Sequence, residues 1–290
     1  MSRASRSTGG SGGQATYEAS SEPASPSPRR KREFEHRNDI VEVGRRLYDK
    51  GYIAAADGNI SVRMEADRVL TTPSGRNKGR LTPEDLVVTD IRGRKVYGRN
   101  EPSSELEMHL VMYQERSDVC AVVHAHPVHA SGFAVAGIAM DQPLLSEVIL
   151  TLGTVPLARY GTPTTPELAD AVRPFAGFDG ILLANHGALT VGSELFQAYD
   201  RMETLEHSAH IYLVARMLGT ERPLSEEHVA KLQQIREKFQ PPAGSCLSCQ
   251  VLEDRVQAIS SKLTQPAPGG LYQLTREELI DLITDVVGSM

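Results

Sequence analysis

The chain of 290 residues has no tryptophan, six phenylalanines and three cysteines. Three thiols, an odd number and few for this length, fit a reducing compartment better than a disulfide scaffold. No apolar run approaches the roughly 20 residues that a bilayer-spanning helix needs. The first residues lack the apolar core of a secretory signal, so none is expected. A basic excess is missing too: the net charge is −6, which gives no reason to expect binding to nucleic acid or to an anionic membrane. A hydrophobic content of 40% with 23% charged residues is ordinary for a globular protein able to bury a sizeable core. The expectation is a cytoplasmic enzyme or binding protein.

Large apolar side chains are also scarce in residues 1–33, which are rich in Ser, Gly and Pro and read as a disordered N-terminal extension. From Phe34 the pattern changes. "DIVEVGRRLYDKG" spaces Ile40, Val41, Val43, Leu47 and Tyr48 as a helix that stops at Gly51. "ISVRM" and "RVLTTPSG" read as strands, and "TPEDLVVTDIRGRKVYG" as a helical turn, a strand, a Gly turn and a strand. "SSELEMHLVMYQER" is helical, with Ser103 or Ser104 as its N-cap. "CAVVHAHPVHA" is a buried strand that ends at Pro127. "TPELADAVRPF" is a helix, "GILLANHGALTVG" a strand-turn, and "ELFQAYDRMETLEHSAHIYLVARMLG" a long helix. The mixture predicts an α/β domain over residues 34–240, its sheet covered by helices on both faces.

Beyond Gln240, residues 241–270 read as a linker around a short helix carrying Leu252, Val256, Ile259 and Leu263. Residues 271–290 read as an amphipathic helix, with Thr275 and Glu278 as a capping box. Leu279, Ile280, Leu282, Ile283, Val286 and Val287 give it an apolar stripe. "CLSC", with Cys246 and Cys249, is a single C-x-x-C in a linker and is left unassigned.

Three histidines fall in "VVHAHPVHA". His124 and His126 occupy alternate positions of a strand and therefore face the same way. They either satisfy each other and the backbone or converge on a cation. The phase of His129 does not carry across Pro127. In "LLANHGALTVG", His186 closes a second apolar strand before Gly187. Three neutral imidazoles with an open fourth position suit a catalytic zinc. His109, His207 and His210 lie on helices and read as surface or core residues. Ahead of the histidine strand, Glu105 follows Ser103 and Ser104 where a helix begins and an anion is favoured. "DGNIS" and "TPSGRNKG" offer Gly turns of the kind that hold phosphate oxygens.

The ordered set "DGNIS", "TPSG", "SSELEMH", "VVHAHPVHA" and "LLANHGALTVG" resembles the class II aldolase/adducin family over residues 36–220, most closely its fuculose-phosphate aldolases. The resemblance implies a three-layer αβα fold around a mostly antiparallel sheet, and a four-fold homotetramer with sites at subunit contacts. It implies one Zn2+ per subunit, or another divalent metal, on His124, His126 and His186. Glu105 becomes the acid/base and approaches the empty metal site. Gly58, Asn59, Ser74, Gly75, Ser103 and Ser104 become the phosphate cradle. The implied reaction cleaves a ketose 1-phosphate, such as L-fuculose 1-phosphate, to dihydroxyacetone phosphate and lactaldehyde, with Glu105 kept neutral in a dry pocket. Where the family's aldolases carry a tyrosine near the aldehyde, this chain has Glu147. The alternatives are a pentulose-phosphate 4-epimerase, a dehydratase and a non-catalytic adducin-like scaffold. The terminal helix resembles peptides that direct enzymes into bacterial microcompartments, which implies a shell protein as partner and the compartment lumen as location.

Overall fold

The computed structural model describes residues 31–65 and 67–239. The extension through residue 30, the linker 241–270 with Cys246 and Cys249, and the terminal helix 271–290 all lie outside the described residues. The first helix, α1 (Glu33–Asp49), opens inside the stretch expected to be extension, and Lys31 already pairs with Asp39 at 2.7 Å. Among the described residues, no helix is long and apolar enough to cross a membrane.

Eight strands make one sheet: β1 (Asn59–Glu65), β2 (Arg68–Thr71), β3 (Val87–Asp90), β4 (Lys95–Tyr97), β5 (Ala121–Ala125), β6 (Leu157–Ala158), β7 (Gly180–Leu183) and β8 (Gly187–Gly192). Their order is β4-β3-β2-β1-β5-β8-β7-β6. Every neighbouring pair is antiparallel except β6 with β7. The helices are α2 (Leu106–Glu115), α3 (Val128–Val135), α4 (Ser146–Thr151), α5 (Pro166–Val172), α6 (Leu195–Met217) and α7 (Glu226–Phe239).

Strand alternation assigns each residue to a face. Ile60, Val62 and Met64 of β1, with Ala121, Val123 and Ala125 of β5, pack on α1, α3, α4 and α6. Val122 of β5 faces the other way, with Ile181, Leu189 and Val191, onto α2 and α5. His124 shares the phase of Val122 and so looks toward α2. This is the expected three-layer αβα architecture, with both faces of the sheet covered.

One ionic cluster ties the helices together. Asp179, at the start of β7, accepts from Arg116 at 2.9 Å, Arg201 at 2.8 Å and Arg236 at 2.7 Å. These arginines come from the end of α2, from α6 and from α7. Asp179→Asn removes the carboxylate that neutralises the buried Arg201 guanidinium. The expected cost is about 3 kcal/mol, read as a lowered midpoint of urea unfolding; an unchanged midpoint contradicts it.

Candidate metal centre

The end of β5, the start of β1, the β7–β8 turn and the start of α2 meet at one end of the sheet. Asn59 is the register partner of His124 on one side, and Leu189 on the other. His126 lies one residue past Ala125, where its N–H donates to Tyr52 O at 2.8 Å. His186 occupies the three-residue turn between β7 and β8, not the end of a strand. The turn closes because Asn185 adopts φ 55°, a left-handed conformation that Asn tolerates. Two glycines allow the close approach. A Cβ on Gly58 would sit 2.7 Å from His124 O, and one on Gly187 would sit 2.6 Å from His126 Cδ2.

The three imidazoles form a nearly equilateral triangle, with centroids 4.9, 4.7 and 4.9 Å apart. One donor atom from each lies within 4.8 Å of the other two. His124 Nδ1 is 2.9 Å from Ala188 O, a geometry that puts its proton there and leaves Nε2 as a bare lone pair. His126 Nδ1 faces Asp57 Oδ2 at 3.6 Å, which favours the same tautomer. The two Nε2 atoms then oppose each other at 3.1 Å. Burial drives the pKa of His124 well below its usual value and lowers that of His126, so protons are poorly suited to fill the gap. Bare lone pairs this close call for a cation, and nitrogens about 2.0–2.1 Å from a shared tetrahedral ion would be spaced in this way. The residues present therefore fit a divalent metal.

Glu105 lies against this group. Its Oε1 is 3.3 Å from His186 Nε2 and its Oε2 is 3.5 Å from His124 Nε2. Asn59 Nδ2 donates to Oε2 at 2.8 Å. Burial raises the Glu105 pKa, but the hydrogen bond with His186, the fields of His124 and His186 and the Asn59 amide outweigh it and hold the value to about 2. That lowered value belongs to the ligand-free chain, whereas the neutral Glu105 is expected at the step that delivers the proton. The helix also starts later than the sequence suggests: Glu105 itself takes the cap position, and Ser103 Oγ accepts only from Glu105 N, at 3.3 Å. The competing local turn is the reason, since a serine hydroxyl bonds its own backbone two residues on.

The expected cradle residues are brought together. Ser74 N donates to Glu101 O at 3.0 Å and Ser103 N to Thr72 O at 3.1 Å, while Pro73 and Pro102 bridge. Ser74, Gly75 and Ser104 are exposed beside this junction, and Gly58 and Asn59 are buried beneath it. Thr72 N ties the junction to β1 through Ile60 O at 3.0 Å.

His129 does not join the triad. Its Nδ1 meets Glu206 Oε1 at 2.7 Å, and its ring stacks on His210 at 4.0 Å. Pro127 turns the chain into α3, and that redirects it. Glu147 is exposed in the first turn of α4. Three residues near the site are not among the expected site residues, although Asp57 falls in "DGNIS" and Lys78 in "TPSGRNKG". They are Asp57, buried Lys78, whose amine donates to Ala56 O, and fully buried His109, whose pKa burial pushes down to about 3.

Residues 38–213 match the family described as Class II Aldolase and Adducin N-terminal domain. A 3-oxo-tetronate 4-phosphate decarboxylase of Haemophilus influenzae is 34% identical over 180 residues, 60% of this chain and 84% of that protein. A 5-deoxy-D-ribulose 1-phosphate aldolase of Bacillus thuringiensis serovar kurstaki is 33% identical over 209 residues, 70% of this chain and 95% of that protein. The solved structure of an L-fuculose 1-phosphate aldolase matches with a TM-score of 0.66 at 32% identity, over 71% of this chain and 96% of that one.

Proposed function

The chain belongs to the class II aldolase and adducin family, and from that membership we propose that it is a metal-dependent lyase cleaving the C3–C4 bond of a ketose 1-phosphate. The observation that carries this reading is the convergence of the His124, His126 and His186 imidazoles, one donor atom of each within 4.8 Å of the others, beside the Glu105 carboxylate. His124, His126 and His186 would hold Zn2+ or another divalent cation, whose Lewis acidity stabilises negative charge developing beside the substrate carbonyl. Gly58, Asn59, Ser74, Gly75, Ser103 and Ser104 would bind the phosphate, Ser74 and Ser103 through their hydroxyls because their N–H groups donate to Glu101 O and Thr72 O.

Cleavage sends the C3–C4 electron pair to C3, while C4 becomes the aldehyde carbon and its hydroxyl proton passes to water, from which Glu105 is protonated. Glu105 handles the proton at C3. As a carboxylate it removes that proton in the condensation direction; in cleavage, microscopic reversibility has the protonated acid return it. Asn59 keeps the carboxylate oriented between His124 and His186. The products are dihydroxyacetone phosphate and an aldehyde, lactaldehyde when the substrate is L-fuculose 1-phosphate.

A second reading, decarboxylation, is favoured by the similarity to the Haemophilus influenzae relative. Loss of carbon dioxide from a 3-oxo acid leaves the same kind of carbanion beside a carbonyl, so the same triad and Glu105 serve it. Product analysis by NMR separates the readings. An aldehyde with triose phosphate supports the aldolase, carbon dioxide the decarboxylase, and an epimeric ketose phosphate the 4-epimerase.

The catalytic unit is proposed to be a homotetramer, consistent with exposed Val128 and Val135 on α3 and exposed Met217 at the end of α6. Residues 266–290 are proposed to recruit the enzyme to a microcompartment shell and not to serve the chemistry. Their deletion is expected to leave kcat and KM unchanged while abolishing co-purification with shell protein. A large loss of turnover contradicts that division of labour.

A further inference from the structure

The face of β1 that looks at α2 is polar and buried. Asn59, Ser61 and Arg63, two residues apart, stand opposite Glu105, His109 and Tyr113, four apart. Asn59 Nδ2 donates to Glu105 Oε2 at 2.8 Å. Ser61 Oγ is 2.7 Å from His109 Nδ1 and 2.8 Å from Tyr113 OH. Arg63 donates to Tyr113 O and lies over its ring, 4.9 Å from the centroid. The rungs match because two strand residues rise roughly 6.7 Å and four helix residues roughly 6.0 Å. Ser61 and His109 are both 0% exposed.

Stability alone does not account for this ladder. Among the described residues His109 Nε2 is buried without a hydrogen-bond partner, a cost of about 1–3 kcal/mol that a leucine would avoid. What the rungs add is direction. An apolar helix–sheet contact tolerates sliding, whereas donor and acceptor pairs fix the axial position and rotation of α2. The first rung is Glu105 itself. We propose that the Ser61–His109–Tyr113 ladder sets the register of α2 on β1 and thereby holds the Glu105 carboxylate against His124 and His186, with His109 as its central positioning residue.

The inference rests on the acid/base role given to Glu105, and its test separates the two. In the full-length, zinc-loaded protein, H109L is expected to lower kcat about 10- to 100-fold, the loss typical of a misplacement near 1 Å. KM and bound zinc should stay at the parent level. The double variant E105Q/H109L should turn over no more slowly than E105Q alone, because His109 acts through Glu105. Crystal structures of the parent and of H109L read the position without any substrate, and the Glu105 carboxyl should move relative to His124 and His186. An unmoved carboxyl overturns the proposal, as does an additive double variant. If the parent cleaves no sugar phosphate, the acid/base reading fails and the crystallographic comparison still decides the ladder. Should H109L fail to fold, Y113F removes only the hydroxyl of the same rung and is expected to shift Glu105 and kcat in the same direction to a smaller extent.

Discussion

Glu105→Gln is expected to fold and to keep its bound metal while losing about 10²- to 10⁴-fold of turnover, the usual contribution of a positioned acid/base group. Gln is nearly isosteric, so the Asn59 contact and the packing of α2 survive. The amide cannot take or return the proton at C3. In the proposed site the histidines would hold the cation without Glu105, since among the described residues the group whose donor atoms lie within 4.8 Å of one another is His124, His126 and His186. Steady-state kinetics with metal analysis of the same sample check this. Turnover within a few-fold of the parent contradicts the acid/base role. Metal loss alongside turnover moves Glu105 from acid/base to ligand.

The second large effect is His186→Ala. His186 sits in a tight turn, so trimming its ring leaves the hairpin registered through β7 and β8, with Leu183 opposite Gly187. Two imidazoles then remain. Metal affinity is expected to fall by more than the roughly 10- to 100-fold that losing an outer-shell partner of a ligand costs. After dialysis against a weak chelator the variant should contain no metal and show no turnover, matching the parent after stripping. Circular dichroism should stay at the parent signal. A variant that retains stoichiometric metal and activity removes His186 from the ligand set.

Much of the centre was legible because its logic is local. His124 and His126 alternate on a strand, so their common direction follows from the pleat, and the order of the five motifs placed Glu105 and His186 beside them. What escaped depends on distant partners. His129 looks equivalent to its neighbours in "VVHAHPVHA", yet Glu206, 77 residues away, captures its ring and its backbone N–H. "NISVRM" alternates polar and apolar residues, a pattern that ordinarily marks a strand with one wet face. Here α2 covers the polar face, so Ser61 and His109 are core residues with hydrogen-bonding duties. The start of α2 departs from the sequence pattern for a local reason, the Ser103 turn that delays the helix to Leu106 and leaves Glu105 at the cap. The ionised state of Glu105 was not legible either, because it is set by His186 and His124 from other strands and turns.

The most direct measurement is the release of dihydroxyacetone phosphate from L-fuculose 1-phosphate by zinc-loaded protein, followed through coupled NADH oxidation with and without chelator. The account predicts release that the chelator abolishes and added zinc restores. No release from folded, zinc-loaded protein with this or any other ketose 1-phosphate, or release that is indifferent to the chelator, would contradict it.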